Sequence, residues 1–144
     1  MAFDHQWVPD LSLTAGADLS GDQFKIVKLD ASGDAILAAA AGEKVVGVLQ
    51  NKPKVTTEEA RVRVMGVSKV QAGGAISIGD FIATDATGLA KTAVLATTDT
   101  TTSSTTEALL ASHVIGQALQ AASGSGEIIS CLLFPMGAAA TTAA

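Results

Sequence analysis

The chain has 144 residues, a formal net charge of −5, 16% charged residues and 3% aromatic residues. Binding to nucleic-acid phosphates needs clustered Lys and Arg, and the absence of such a cluster argues against this class of function. No stretch approaches the roughly 18 apolar residues of a membrane-spanning helix, and the N-terminus lacks the pattern of a secretion signal. We therefore expect a soluble single-domain protein made in a cytoplasm.

The residues available for a hydrophobic core are mostly small and aliphatic. Burial of apolar surface contributes about 25 cal/mol per Å², so a core with few Phe and Trp side chains gains less stabilisation than usual. A partner surface is one source of the missing stabilisation. The composition therefore favours a protein that works in an assembly.

Residues 1–17 contain the only Trp and one of the four Phe, but Pro9 and Gly16 interrupt any long element. We interpret this stretch as an extended arm that anchors on a neighbouring molecule by adding a strand or by filling pockets. The candidate anchors are Phe3, Trp7, Val8, Leu11 and Leu13. The alternative is a strand or loop that folds onto its own domain.

The next part of the chain predicts short strands joined by a tight turn. Residues 30–33 (DASG) indicate a hairpin turn, because Asp can bond to the backbone ahead of it and Gly can take a positive φ. The flanking strands are predicted at 24–29 and 34–38, with another at 45–50. Gly47, in the middle of that last strand, predicts close approach of another backbone.

Residues 61–64 (RVRV) alternate polar and apolar side chains, which is typical of a strand with one solvated face. The alternation slips at Met65-Gly66, where we predict a β-bulge, and resumes weakly through Val70. Gly73-Gly74 and Gly79-Asp80 then predict two turns.

The second half of the chain repeats the plan of the first. Residues 85–88 (DATG) match residues 30–33, and each block precedes an alternating apolar segment. Further matches pair Gly21-Asp22 with Gly79-Asp80, residues 45–50 with 114–120, and residues 62–67 with 128–134. We predict half-repeats at about 21–70 and 79–135, packed into one small β-barrel or β-sandwich spanning residues 18–136.

The second half also contains an insertion and ends in a tail. Residues 97–106 are all Thr or Ser except Asp99, so we expect an exposed loop. The spacing of Ser104 and Glu107 fits a capping box, which allows one short helix over 108–111 that ends near His113. Residues 137–144 are expected to form a flexible tail.

Motifs for catalysis and for cofactor or metal binding are missing. Residues 124–126 (GSG) lack the spacing of a serine-hydrolase elbow, and no glycine-rich stretch has the Lys and Ser or Thr of a phosphate loop. His5 and His113 are far apart, and Cys131 lies in an apolar run, which predicts a buried, reduced thiol. We expect no enzymatic activity, no cofactor and no metal ion.

Lys52 and Lys54 flank Pro53 in a segment with mixed charges. The simplest interpretation is a solvated face. The alternative is a charged rim that sets the docking register on a partner.

A series of short blocks runs through the chain in order: 47–53 (GVLQNKP), 62–70 (VRVMGVSKV), 72–76 (AGGAI), 79–80 (GD), 84–88 (TDATG), 116–119 (GQAL), 121–122 (AA) and 132–135 (LLFP). From about Leu19 to Pro135, this series resembles the small capsid decoration, or cement, proteins of tailed bacteriophages. The Ser/Thr-rich loop and the alanine-rich tail are not part of the resemblance.

The resemblance implies a β-rich domain of tulip-like or barrel-like fold that binds the outer surface of an expanded head shell. Such a protein ties neighbouring major capsid subunits together at or near local threefold or twofold axes. The implied partners are the major capsid protein and copies of the chain itself, as a trimer or a dimer, without direct contact to nucleic acid or membrane.

A β-sandwich adhesion or carbohydrate-binding head on a virion or surface fibre is the alternative function. Sugar sites usually stack rings on exposed aromatic side chains, and the chain has no Tyr and one Trp, which counts against this alternative. A small hydrolase is a third hypothesis, disfavoured by the missing motifs.

Overall fold

The computed structural model of the chain describes residues 10–94 and 112–138, which form ten β-strands and no helix. The prediction of a mainly β fold is confirmed. The strands are β1 (Asp10–Thr14), β2 (Ile26–Leu29), β3 (Ala35–Leu37), β4 (Gly47–Leu49), β5 (Glu59–Arg63), β6 (Gly66–Gln71), β7 (Phe81–Thr84), β8 (Ala90–Thr92), β9 (His113–Ala118) and β10 (Ile128–Ala138).

The strands form two five-stranded antiparallel sheets with the same topology. The first sheet has the order β1-β5-β4-β2-β3 and the second has the order β6-β10-β9-β7-β8, so each strand of one sheet has a counterpart in the other. This confirms the prediction of two similar β units, which we call unit 1 (residues 10–63) and unit 2 (residues 66–138).

Neither sheet closes into a complete barrel. The two edge strands of unit 1 approach each other at one parallel bridge, Ala15 to Ala35, and those of unit 2 do the same at Ala72 to Ala90. The two open sheets are consistent with a small β-sandwich.

The repeat boundaries predicted at 21–70 and 79–135 are wrong by one strand. Strand β1 begins unit 1, and β6, which we placed at the end of the first half, begins unit 2. The alternation slips at Met65 because residues 64–65 carry the chain from one sheet to the other, so the predicted β-bulge is a change of sheet. Gly66 has a φ of 86° at this passage.

The match of Gly21-Asp22 with Gly79-Asp80 is also corrected. The N–H of Phe24 donates to the Leu49 carbonyl at 2.8 Å, and the N–H of Gly79 donates to the equivalent Ala118 carbonyl at 2.8 Å. Phe24 is therefore the counterpart of Gly79. The offset arises because unit 1 has an additional turn before β2.

The predicted hairpin turns are present in both units. Asp30 Oδ1 accepts hydrogen bonds from the N–H groups of Ser32 and Asp34 at 2.8 and 3.0 Å. Asp85 Oδ1 accepts the two equivalent bonds at 2.7 and 2.9 Å. The glycine of each turn has a positive φ, 86° in unit 1 and 77° in unit 2.

The predicted close backbone approach at Gly47 is confirmed and repeated. A Cβ atom at Gly47 would clash with the carbonyl oxygen of Arg63, and one at Gly116 would clash with that of Leu132. Both glycines lie in the central strand of their sheet.

Two clusters of buried aliphatic side chains form the core. The first lies within unit 1 and contains Ala15, Leu19, Val27, Ala35, Leu49, Ala60 and Val62. The second is built mainly from unit 2, but Ile26, Ala38 and Val48 of unit 1 belong to it. The two units therefore share part of one core.

The structure corrects the predicted arm over residues 1–17. Residues 10–14 form β1, which pairs with β5 of the same chain in antiparallel register, Leu13 opposite Ala60. Leu13 packs against the buried cluster of unit 1, which holds the strand on its own domain. Residues 10–14 therefore agree with the alternative hypothesis, a strand folded onto its own domain. Residues 1–9 lie outside the described residues.

The predictions for the C-terminal part are corrected in two places. His113 begins strand β9 instead of ending a helix, and the tail predicted from residue 137 starts too early. Gly137 and Ala138 pair with Val114 and His113 in the sheet, because β10 continues beyond an irregularity after Leu133. The predicted loop at 97–106, the helix at 108–111 and residues 139–144 lie outside the described residues.

Candidate interaction surface

The start of strand β1 is held by an ion pair that the sequence analysis missed. Arg63 Nε and Nη2 donate to the two carboxylate oxygens of Asp10 at 2.7 and 3.2 Å, and Nη1 donates to the Val67 carbonyl at 3.0 Å. The hydrogen bond from Arg63 to Asp10 is also the main cause that raises the pKa of Arg63. One guanidinium thus connects β1, β5 and β6.

The predicted anchor residues fall into two groups. Phe3, Trp7 and Val8 lie outside the described residues. Leu11 and Leu13 are both in β1, where Leu13 is half-buried against the unit 1 cluster and Leu11 is 42% exposed. Of the two anchor candidates that the structure describes, Leu11 is therefore the one whose apolar side chain is available to a partner.

Lys52 and Lys54 are exposed on the loop between β4 and β5. The loop is ordered by its own bonds: the Pro53 carbonyl accepts from the Leu19 N–H at 2.9 Å, and Glu58 Oε2 accepts from the Lys54 N–H at 2.6 Å. The loop that carries the lysines joins β5 at its first residue, Glu59, whereas Leu11 pairs with Val62 near the last residue of β5. The structure does not bring the two lysines together with Leu11.

An open groove runs along the boundary between the two units. It is lined by Phe24, Gln50, Arg63, Val67, Ser68, Lys69 and Ser130. The Lys69 ammonium lies 5.7 Å from the centre of the Phe24 ring, within the range of a cation–π contact. Sequence patterns gave no signal for this groove, because its walls come from strands far apart in the chain.

The outer face of the unit 2 sheet carries apolar side chains. Val67 and Leu132 are opposite each other on β6 and β10, and they are 55% and 38% exposed. The half-buried rings of Phe81 and Phe134 meet edge to face, with centroids 6.5 Å apart. Exposed apolar surface of this kind is typical of an interaction site.

Of the titratable side chains singled out from the sequence, Cys131 and His113 lie among the described residues and His5 does not. Cys131 is fully buried, as predicted, and desolvation raises the pKa of its thiol to about 11. Burial, and secondarily Lys44, lowers the pKa of His113. Within residues 10–94 and 112–138, no three His, Cys, Asp or Glu side chains form a group that could hold a metal ion.

No helix in the described part of the chain is long and apolar enough to cross a membrane.

Comparison with known proteins gives a likeness to a solved structure. No protein-family model matches the chain, and no curated protein sequence matches it. Among solved structures, the chain is similar to the N base of the head fiber gp8.5 of bacteriophage phi29, with 20% sequence identity and a TM-score of 0.59. The likeness covers 87% of this chain and 94% of that chain. At this level of identity the likeness establishes the fold, which the two chains share over nearly their whole length.

Proposed function

We propose that this chain is a structural protein of a phage head, which binds the outer surface of the expanded shell as a decoration, or cement, protein. The observation that carries the proposal is the fold likeness to the base of a phi29 head fiber, which extends over 94% of that base. The ordered sequence blocks from about Leu19 to Pro135 support the same class of protein.

The proposed action requires no chemistry. Each bound copy adds buried interface between neighbouring major capsid subunits, and many such sites together oppose rupture of the shell. Binding to the assembled shell but not to separated subunits stabilises the shell by mass action.

Residues 1–9 are the proposed primary contact with the major capsid protein. These residues directly precede Asp10, whose ion pair with Arg63 fixes the start of β1 on the domain. Phe3, Trp7 and Val8 supply the apolar anchors, and exposed Leu11 is available to a neighbouring molecule. Lys52 and Lys54 are proposed to form a separate charged rim.

The proposal is tested by sedimentation of the purified chain with undecorated, expanded shells of its phage. We expect the full chain to cosediment with shells. A variant lacking residues 1–9 should remain folded, because β1 and the Asp10–Arg63 ion pair are retained, but its affinity should fall about 30-fold or more if the anchors contribute 2 kcal/mol or more. A cut after Leu13 would be uninformative because it removes β1.

The two parts of the proposal fail differently in this experiment. If the full chain does not bind shells, head binding is refuted. If the variant without residues 1–9 binds as well as the full chain, head binding stands and the role of these residues is refuted. A Trp7→Ala and Phe3→Ala double variant, compared with a Lys52→Ala and Lys54→Ala double variant, separates the apolar anchors from the charged rim.

A further inference from the structure

The contact between the two units of one chain is asymmetric. Unit 1 contributes a surface that we call the front face, consisting of Phe24, Ile26, Leu37, Ala38, Val48 and Gln50, whose side-chain amide donates to Ser68 Oγ at 2.9 Å. Unit 2 contributes a different surface, the rear face, consisting of Ser68, Gln71, Thr84 and Gly88. The N–H of Ile26 donates to the Gly88 carbonyl at 2.7 Å, and the N–H of Gln71 donates to the Phe24 carbonyl at 2.8 Å.

Packing at this contact is close. Ile26 and Val48 of the front face are fully buried and belong to the unit 2 core cluster. A Cβ atom at Gly88 would clash with the Leu37 side chain, so a glycine is required where the faces meet. On the rear face, Ser68 and Thr84 are 2% and 0% exposed.

Because the two sheets have the same topology, unit 2 has its own front face. The strand registers identify its residues as Phe81, Thr92, Ala93 and Gln117, with Leu119 in the position of Gln50. Leu119 is 43% exposed, and Phe81 and Ala93 are half-buried. The Gln117 amide is satisfied by the Gly79 carbonyl at 2.9 Å. Among the described residues, Phe134 packs against Phe81 on this face, which is still less covered than the front face of unit 1, where Ile26 and Val48 are fully buried.

Unit 1 likewise has its own rear face, which the described part of the chain leaves open. Leu11 and Leu29 stand in the positions of Ser68 and Thr84, and they are 42% and 47% exposed. Gly33 stands in the position of Gly88, and no heavy atom lies within 4 Å of a Cβ built there. Apolar side chains at these two rear-face positions are typical of a surface that is buried in an assembly.

We propose that a second copy of this chain occupies these faces head to tail: the front face of unit 2 in one copy packs on the rear face of unit 1 in the next, repeating the contact within the chain. Such a contact joins two different surfaces, so it leaves one of each free and generates a ring when its rotation closes. This inference depends on the internal repeat and is independent of binding to a phage head.

Charged substitutions on each face test the proposal. Leu29→Glu alters the rear face of unit 1, and Leu119→Glu alters the front face of unit 2. By light scattering coupled to size-exclusion chromatography, we expect the wild-type chain to be a multimer and each variant alone to run as a monomer of 14.4 kDa. Val55→Glu, at a 56% exposed position in a loop outside both faces, is the matched control and should assemble as the wild type does.

Mixing the two variants provides the decisive measurement. Each variant keeps the face that the other has lost, so the mixture should form a pair of one Leu29→Glu chain and one Leu119→Glu chain and stop there. A self-complementary dimer would not be rescued in this way. A monomeric wild-type chain, or a mixture that remains monomeric, would overturn the proposal.

A cysteine pair gives a second readout that does not depend on the glutamate variants folding. A Cβ at Gly88 would lie 3.0 Å from Leu37 Cγ, so cysteines at the counterparts Gly33 and Thr92 should come within disulfide range across the contact. We expect the Gly33→Cys and Thr92→Cys double variant to form covalent multimers under oxidation, and each single variant to form none through this contact. A double variant that stays monomeric on a non-reducing gel would contradict the proposed pairing.

Discussion

Two residues of unit 1 have a positive φ although they are not glycine, and in both cases unit 2 has glycine at the equivalent position. Phe24 has a φ of 66° where unit 2 has Gly79, and Thr57 has a φ of 82° where unit 2 has Gly126. The side chain of Phe24 has a function in the fold, since its ring contacts Lys69. Thr57 is exposed, so burial of its side chain does not offset the energetic cost of the positive φ.

We predict that Thr57→Gly raises the free energy of unfolding. A left-handed conformation costs a β-branched residue about 1 to 2 kcal/mol, and the greater flexibility of glycine in the unfolded chain cancels part of the gain, so the net increase should be about 0.5 to 1 kcal/mol. Urea unfolding measures the change. Gly126→Thr is the converse substitution and should lower stability, and a destabilised Thr57→Gly variant would show that the Thr57 side chain makes a contribution not evident from its exposure.

At the scale of the strands, the central glycines decide whether each sheet can form. We predict that Gly47→Ala lowers the free energy of unfolding by about 3 kcal/mol, because its Cβ would meet the rigid backbone carbonyl of Arg63. Gly74→Ala is the matched control, since a Cβ there meets no heavy atom within 4 Å, and it should stay within about 0.5 kcal/mol of the wild type. Equal effects in urea unfolding would contradict the close approach.

Local features of the strands were predictable from the sequence, and pairings distant in the chain were not. The turn at 30–33 and the close approach at Gly47 follow from the conformational range of single residues. Strand β6 was assigned to the wrong unit because the slip in the alternation at Met65-Gly66 was interpreted as a bulge within one strand, and only the pairing of β6 with β10 shows two strands. A change of sheet leaves the same local pattern as a bulge.

The candidate site was less predictable than the fold for the same reason. Arg63 looked like an ordinary residue of a solvated strand face, because its partner Asp10 is 53 positions away. Leu13 looked like an anchor for a neighbour because its burial against the unit 1 cluster depends on the pairing of β1 with β5. Phe3, Trp7 and Val8 remain predictions.

At the scale of the whole molecule, the shared core predicts that the two units unfold together. Val48 belongs to unit 1 but lies in the unit 2 cluster, so removing its two γ-methyl groups should weaken both units. We expect Val48→Ala to lower the free energy of unfolding by about 2 kcal/mol while the chain keeps a single calorimetric transition with equal calorimetric and van't Hoff enthalpies.

The control for this prediction is Val55→Ala, at an exposed position, which should change stability little. Two resolved transitions, or a Val48→Ala variant in which only one unit is weakened, would show that the units are energetically separate.

The two-residue passage at 64–65 between β5 and β6 has a consequence for how such chains could exchange parts. Two residues are enough for the units to pack within one chain, whereas a hinge that is shorter or strained promotes domain swapping. Deleting one of these two residues should therefore favour swapped dimers, in which the front face of unit 1 packs on the rear face of unit 2 in another copy.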